Sequence, residues 1–270
     1  MATVYIKPGT GTGTGSQADP YFYSQLATAE TAAGSGGTIL FTDGTYSVST
    51  NVVWDADGVT YKSENKHLAR IVASTNSHVF LVGSTSITAP VIADGFFVQD
   101  LSLKPTSPNQ TADANKTCKY LNIKLEQTAQ HSLNPITHPS ADALALFEVN
   151  FCELNFHPPA STRPFAGCNG GTMTNCSVFL NLDDTTGFST RSSGTFGSFT
   201  NCIIASNDTT NSKCTQNSPA YSTDATNCLF HQLGTQNESG GTNNISGDPL
   251  FITPGSDLRL RPNSPAIGAS

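Results

Sequence analysis

Thr174-Asn175-Cys176, Thr200-Asn201-Cys202 and Thr226-Asn227-Cys228 repeat one three-residue phrase at intervals of 26 residues. Asn150-Phe151-Cys152-Glu153-Leu154 stands 24 residues before Cys176 and is followed by a similar apolar run. A fixed period of this size marks a repeat architecture. Each phrase continues in alternation: Cys176-Ser177-Val178-Phe179-Leu180, Cys202-Ile203-Ile204-Ala205 and Cys228-Leu229-Phe230-His231. Alternation at period two is a strand signal. A strand returning every ~25 residues, with no helix-length segment between copies, predicts a coil of parallel strands, a β-helix.

Composition agrees with many turns. Charged residues make up 12% of the 270, about half the usual share, so surface polarity must come from Ser, Thr, Asn and Gly. The net charge of −7 argues against nucleic acid and against anionic membrane surfaces as partners. No apolar run approaches the ~18 residues of a membrane span. The chain opens Met1-Ala2-Thr3-Val4-Tyr5-Ile6-Lys7-Pro8 without the basic and apolar regions of a signal peptide, so synthesis and folding in a cytosol are expected. The seven cysteines are odd in number and include no CxxC. Cys152, Cys176, Cys202 and Cys228 are expected to form a reduced, buried column of small hydrophobes, since stacked parallel side chains are poorly aimed for a disulfide. No metal or other cofactor is implied.

Taken in order, residues 2–6 alternate into a first strand, and a Gly-Thr loop follows over residues 8–15. Asp19-Pro20 predicts a helix start, with Tyr23, Leu26, Ala27 and Glu30 at helical spacing and a stop at Gly34-Ser35-Gly36-Gly37. Thr38-Ile39-Leu40-Phe41 and Asp43-Gly44-Thr45-Tyr46 then make a strand and a turn into the next. This opening resembles the start of right-handed parallel β-helices of the pectin lyase-like superfamily, where the helix plugs the open end of the solenoid. The end, Gly247-Asp248-Pro249-Leu250-Phe251 through Asn263-Ser264-Pro265-Ala266-Ile267-Gly268, resembles that superfamily's closing segment. The resemblance implies an all-β, single-domain right-handed parallel β-helix with coils of about 22–29 residues and a short N-terminal capping helix. Residues 1–48 would form the cap and first coil, 49–246 the solenoid body, and 247–270 the closing segment.

With the cysteines inward, alternation predicts two outward columns. One runs Ser102, Lys124, Glu153, Ser177, Ile203, Leu229, and the other Lys104, Glu126, Asn155, Phe179, Ala205, His231. Aligning Leu101 with Ile123 sets the early register. Phe179, Ile203 and Leu229 would make an outer apolar patch, which a monomer rarely leaves open. Either a long loop folds over it or another subunit packs there, and the residues favour neither.

The fold resembled includes polysaccharide lyases and hydrolases, so the carboxylates are tested first. Glycoside hydrolysis needs two carboxyls about 5–9.5 Å apart. Asp183-Asp184 is the best local pair and is similar to the acidic pairs of polygalacturonase-like enzymes, but the other motifs of those enzymes do not follow it. Glu126 and Glu153 sit on neighbouring rungs and, beside Lys124 and Lys104, read as a surface charge cluster. No HExxH or GxSxG is present. Trp54, Tyr61, Tyr21, Phe22 and Tyr23 offer sugar-stacking rings, although packing against the cap is the simpler use. The function expected is a non-enzymatic structural or adhesive surface protein resembling bacteriophage tailspikes and virion fibres. That resemblance implies a homo-oligomer, a trimer by analogy, with other virion proteins and host glycans as partners. The alternative is a lyase or hydrolase acting on acidic polysaccharide.

Overall fold

A computed structural model describes residues 1–83, 87–105, 118–129, 136–137, 147–157, 165–166, 171–181, 198–207, 225–231 and 242–268. Among them, strands stack in parallel into three ladders around one core, a parallel β-solenoid. Wall A has ten strands, including Thr3–Lys7, Thr38–Phe41 and, at its far end, Ala225–Thr226. Wall B has nine, from Gly44–Val48 to Ile245–Ser246, and wall C has five, from Val52–Trp54 to Phe165–Ala166. An antiparallel hairpin, Phe251–Thr253 with Asp257–Leu260, lies apart from the three. A 3₁₀ turn at Tyr23–Gln25 runs into the short helix α1, Leu26–Ala33, which packs on the first strands of wall A. No helix among the described residues is long and apolar enough to cross a membrane.

The repeated phrase occupies the corner between walls A and B. Thr174, Thr200 and Thr226 end wall A strands, and the asparagines after them turn the chain at φ 54, 53 and 54. This left-handed conformation is one that Asn tolerates better than most residues. The amides then stack: Asn201 Nδ2 donates to Asn175 Oδ1 and Asn227 Nδ2 to Asn201 Oδ1, each at 3.2 Å. Phe151 holds the same corner one coil earlier, at φ 56 and 59% exposed, without an amide to contribute. Substitutions here should have opposite signs. Asn201→Ala is expected to cost about 1–2 kcal/mol, from strain in the left-handed region and two lost amide bonds. Phe151→Asn should stabilise by up to ~1 kcal/mol. Denaturant midpoints at unchanged slope would measure both, and a neutral Asn201→Ala would refute the corner's importance.

Behind the corner, the next residue of each coil points inward. Cys152, Cys176, Cys202 and Cys228 are at most 2% exposed and continue a column begun by Phe96 and Ile123. The Cys152 N–H donates to Cys176 Sγ at 3.4 Å, and the Cys202 N–H donates to Cys228 Sγ at 3.5 Å. The thiols face backbone oxygens, with Cys176 Sγ 3.2 Å from both Val149 O and Thr174 O. All five described cysteines are buried, and none forms a disulfide among the described residues. The neighbouring Cys176 thiol, followed by burial, pushes Cys202 up to about 12, and burial raises Cys176 further. Because thiolate is the reactive form, these thiols should resist iodoacetamide at pH 8 in the native protein and react in denaturant. Peptide mass spectrometry showing native modification at Cys176 or Cys202 would contradict this.

The coil length varies more than expected. Thr38 to Thr60 is 22 residues, Cys118 to Phe147 is 29, and Met173 to Phe199 is 26. Tyr61 to Ala93 is 32, beyond the predicted range. The helix also starts later than Asp19-Pro20 suggests. Asp19 is engaged elsewhere, accepting the Thr14 N–H at 3.0 Å and lying 3.8 Å from Lys7 Nζ. Tyr21–Phe22 then adds a short strand to wall A, and Gln25 Oε1 accepts the Phe22 N–H at 3.2 Å as the helical segment begins.

A cluster of large buried rings lies near the capped end. Trp54 and Tyr61 stack at 4.7 Å and 8°, and Phe41, Phe80 and Phe96 meet Trp54 at 4.7–5.0 Å. The Tyr61 hydroxyl donates to Glu30 Oε1 of α1 at 2.6 Å, tying the cap to this cluster.

Candidate functional site

Strand register sets what the outer face of wall B presents. One outward column runs Thr45, Arg70, Phe97, Lys124, Glu153, Ser177, Ile203, Leu229, Ile245, and the other runs Ser47, Val72, Gln99, Glu126, Asn155, Phe179, Ala205, His231. From Lys124 onward this is the expected wall. Ser102 and Lys104, placed there by aligning Leu101 with Ile123, instead pair with Val79 and Leu81 on wall C. Their places belong to Phe97 and Gln99. The physical reason is Asp100, at φ 58, which turns the chain from wall B to wall C between Gln99 and Leu101.

The C-terminal hairpin lies across this face. Phe251 and Leu258 pack with Phe179 and Ala205 into a second, smaller apolar cluster, and Ile203 and Leu260 lean on it. Phe179 and Phe251 meet edge to face at 6.3 Å, and the Asn155 side-chain amide donates to the Gly255 carbonyl. Phe179 is left 6% exposed and Leu229 2%. Within the chain the cover is the closing hairpin, in place of the long loop expected. The residues put forward for an oligomer contact, Phe179, Ile203 and Leu229, are therefore withdrawn within the single chain to different degrees, Ile203 least.

The carboxylate candidates fare differently. Glu126 and Glu153 do occupy adjacent rungs, but diagonally: Lys124 stands opposite Glu153, and Asn155 opposite Glu126. Lys124 Nζ lies 3.8 Å from Glu153 Oε2, and Ser256 and Leu258 of the hairpin border both glutamates. Lys104, on another wall, is no part of the cluster. Asp183 and Asp184 lie outside the described residues. No group of three or more His, Cys, Asp or Glu suited to a metal occurs among the described residues.

The aromatic candidates divide by burial. Trp54 and Tyr61 are fully buried in the core and offer no face to a sugar, whereas Tyr21 and Tyr23 pack on its edge. A second polar network runs along the A–B corner. Lys62 Nζ lies 3.3 Å from Asp94 Oδ2, Asn122 Nδ2 donates to Asp94 Oδ1 at 2.8 Å, and Lys66 Nζ donates to Asn122 Oδ1 at 3.3 Å. Each charge there has a partner, which makes it a brace across coils.

Sequence reading placed Asn155 on this face but missed that Phe251 and Leu258 cover it. The available signal was the alternation in Asp257-Leu258-Arg259-Leu260, which leaves one apolar side needing a surface. Neither a protein-family model nor a characterised protein matches this sequence.

Proposed function

We propose that the chain is a non-enzymatic structural or adhesive surface protein, of the kind of a virion fibre, capsid decoration or tailspike, that contacts host glycans. One observation carries the preference over catalysis. The C-terminal hairpin overlies the later rungs of the outer face of wall B, where the candidate carboxylates Glu126 and Glu153 stand. That hairpin borders Glu126 and Glu153 and buries Phe179. A rigid solenoid with uncharged Thr and Asn columns suits display, because the wall holds its side chains in fixed register without chemistry of its own. As a homo-oligomer, a trimer by analogy with tailspikes, it would associate through faces other than the covered patch. The tailspike analogy stays at the level of fold.

The enzymatic alternative retains one favourable feature, the placement of Glu126 and Glu153 on neighbouring rungs. Incubation with a panel of acidic polysaccharides, followed by size analysis, separates the two. Binding without chain shortening, together with a defined oligomer in sedimentation, is the expected result. Shortening that disappears in Glu126→Gln or Glu153→Gln would overturn it in favour of a hydrolase or lyase.

A further inference from the structure

We propose that Glu30 is an acid-tightened latch on the N-terminal cap, holding α1 against the solenoid more firmly as its carboxylate gains a proton. Leu26, Ala29, Glu30 and Ala33 share one helical face, at spacings of three and four. Ala29 and Ala33 are buried in the core cluster, and Leu26 packs against it. The fourth member of this inward stripe is a carboxylate. Its Oε1 accepts the hydroxyl of the fully buried Tyr61 at 2.6 Å. That is the one hydrogen bond from a side chain of α1 to a wall among the described residues.

No cation balances the charge. Three titratable groups act on Glu30: Tyr61 of the strand Thr60–Ser63, Asp55 just after Val52–Trp54, and Tyr23 of the 3₁₀ turn. Burial pushes Tyr23 up to about 12 and raises Tyr61 further, so both phenols stay neutral around neutral pH. Asp55 adds a second negative charge. Beneath α1, the strands Thr3–Lys7 and Thr38–Phe41 bring Val4, Ile6, Ile39 and Phe41 to the same core cluster. Lys7 is engaged 3.8 Å from Asp19, and Glu30 has no ion pair among the described residues.

The hydrogen bond survives protonation, because a carboxylic acid still accepts at its carbonyl oxygen. What changes is the cost of burying a charge. Burial raises the Glu30 carboxyl above its ordinary value, with the Tyr61 hydrogen bond opposing and the Asp55 charge adding. A raised folded-state value sets the sign. The stabilisation is complete below the carboxyl's value in the unfolded chain, about 4.3, and is lost as pH rises through the folded-state value. Around neutral pH, α1 is therefore held by two buried alanines, Leu26 and the Tyr61 bond against an unbalanced charge. Lifting α1 uncovers the end of the solenoid core.

Hydrogen exchange read by mass spectrometry on the full chain, corrected for the intrinsic effect of pH, tests the latch. Protection of α1 is expected to rise about threefold or more from pH 7.5 to pH 5, relative to the late strand Ile203–Ser206. Glu30→Gln keeps an acceptor for Tyr61 without the charge. It should raise protection of α1 at pH 7.5 to the wild-type level at pH 5 and remove the pH dependence. Protection of α1 that stays flat or falls on acidification would overturn the latch. So would a Glu30→Gln chain that keeps the wild-type pH dependence. A change shared equally by Ile203–Ser206 would also overturn it, by placing the effect in global stability.

Discussion

Deleting residues 247–270 is expected to leave the solenoid folded and to convert it into a sticky, self-associating species. The hairpin joins the body mainly through side chains. Phe251 and Leu258 close over Phe179 and Ala205, and the Asn155 amide reaches Gly255, while the hairpin's ladder bonds run only between its own two strands. Walls A and B keep every rung after the cut, because their last strands end at Thr226 and Ser246. Exposed in its place would be Phe179, Ala205 and Ile203 at neighbouring positions, a contiguous apolar patch of the sort that drives association. Increased binding of a hydrophobic dye and a rise in scattering mass should accompany unchanged strand content by circular dichroism. Phe251→Ala should reproduce part of the effect and cost about 3 kcal/mol or less, since the lost contacts are local and the hairpin can open by itself. A truncated chain that stays monomeric and dye-silent would show that the patch does not need its cover.

Trp54→Ala should be the most damaging single substitution. The indole is fully buried, stacked on Tyr61 and met by Phe41, Phe80 and Phe96, so its removal leaves a cavity among rings that cannot collapse together. Phe or Trp truncations in cores cost about 3–5 kcal/mol, and the upper end is expected because the same cluster seats α1 through Tyr61 and Glu30. Trp54→Phe, which retains most of the apolar volume, should cost roughly half as much. Urea titration followed by circular dichroism measures both. Equal costs for Ala and Phe would mean that the packing argument is wrong.

The late coils were legible because one phrase carries three independent signals. Asn marks a left-handed corner, Cys a small inward residue, and the following alternation a strand. The early coils lack that redundancy. In Phe96-Phe97-Val98-Gln99-Asp100-Leu101-Ser102-Leu103 the inward residues are 96 and 98, then 101 and 103. The step of three is the bend at Asp100, but a polar residue between apolar ones resembles ordinary alternation, so Leu101 was set against Ile123 when Phe96 is its true counterpart. Likewise Asp19-Pro20 has the chemistry of a helix cap, yet the Gly-Thr loop and Lys7 claim its carboxylate.

By itself the sequence determined the solenoid, the inward cysteine column and the side of each late strand that faces out. These are local consequences of side-chain alternation and corner chemistry, repeated coil after coil. Tertiary structure alone decided what meets the outward apolar residues. Phe179 and Phe251 lie 72 positions apart and share no period. Their contact depends on where the chain leaves the last rung and how it turns back, which local propensity does not encode. The Thr-Asn-Cys phrase therefore specifies the wall, while the closing segment determines which part of that wall is open to a partner.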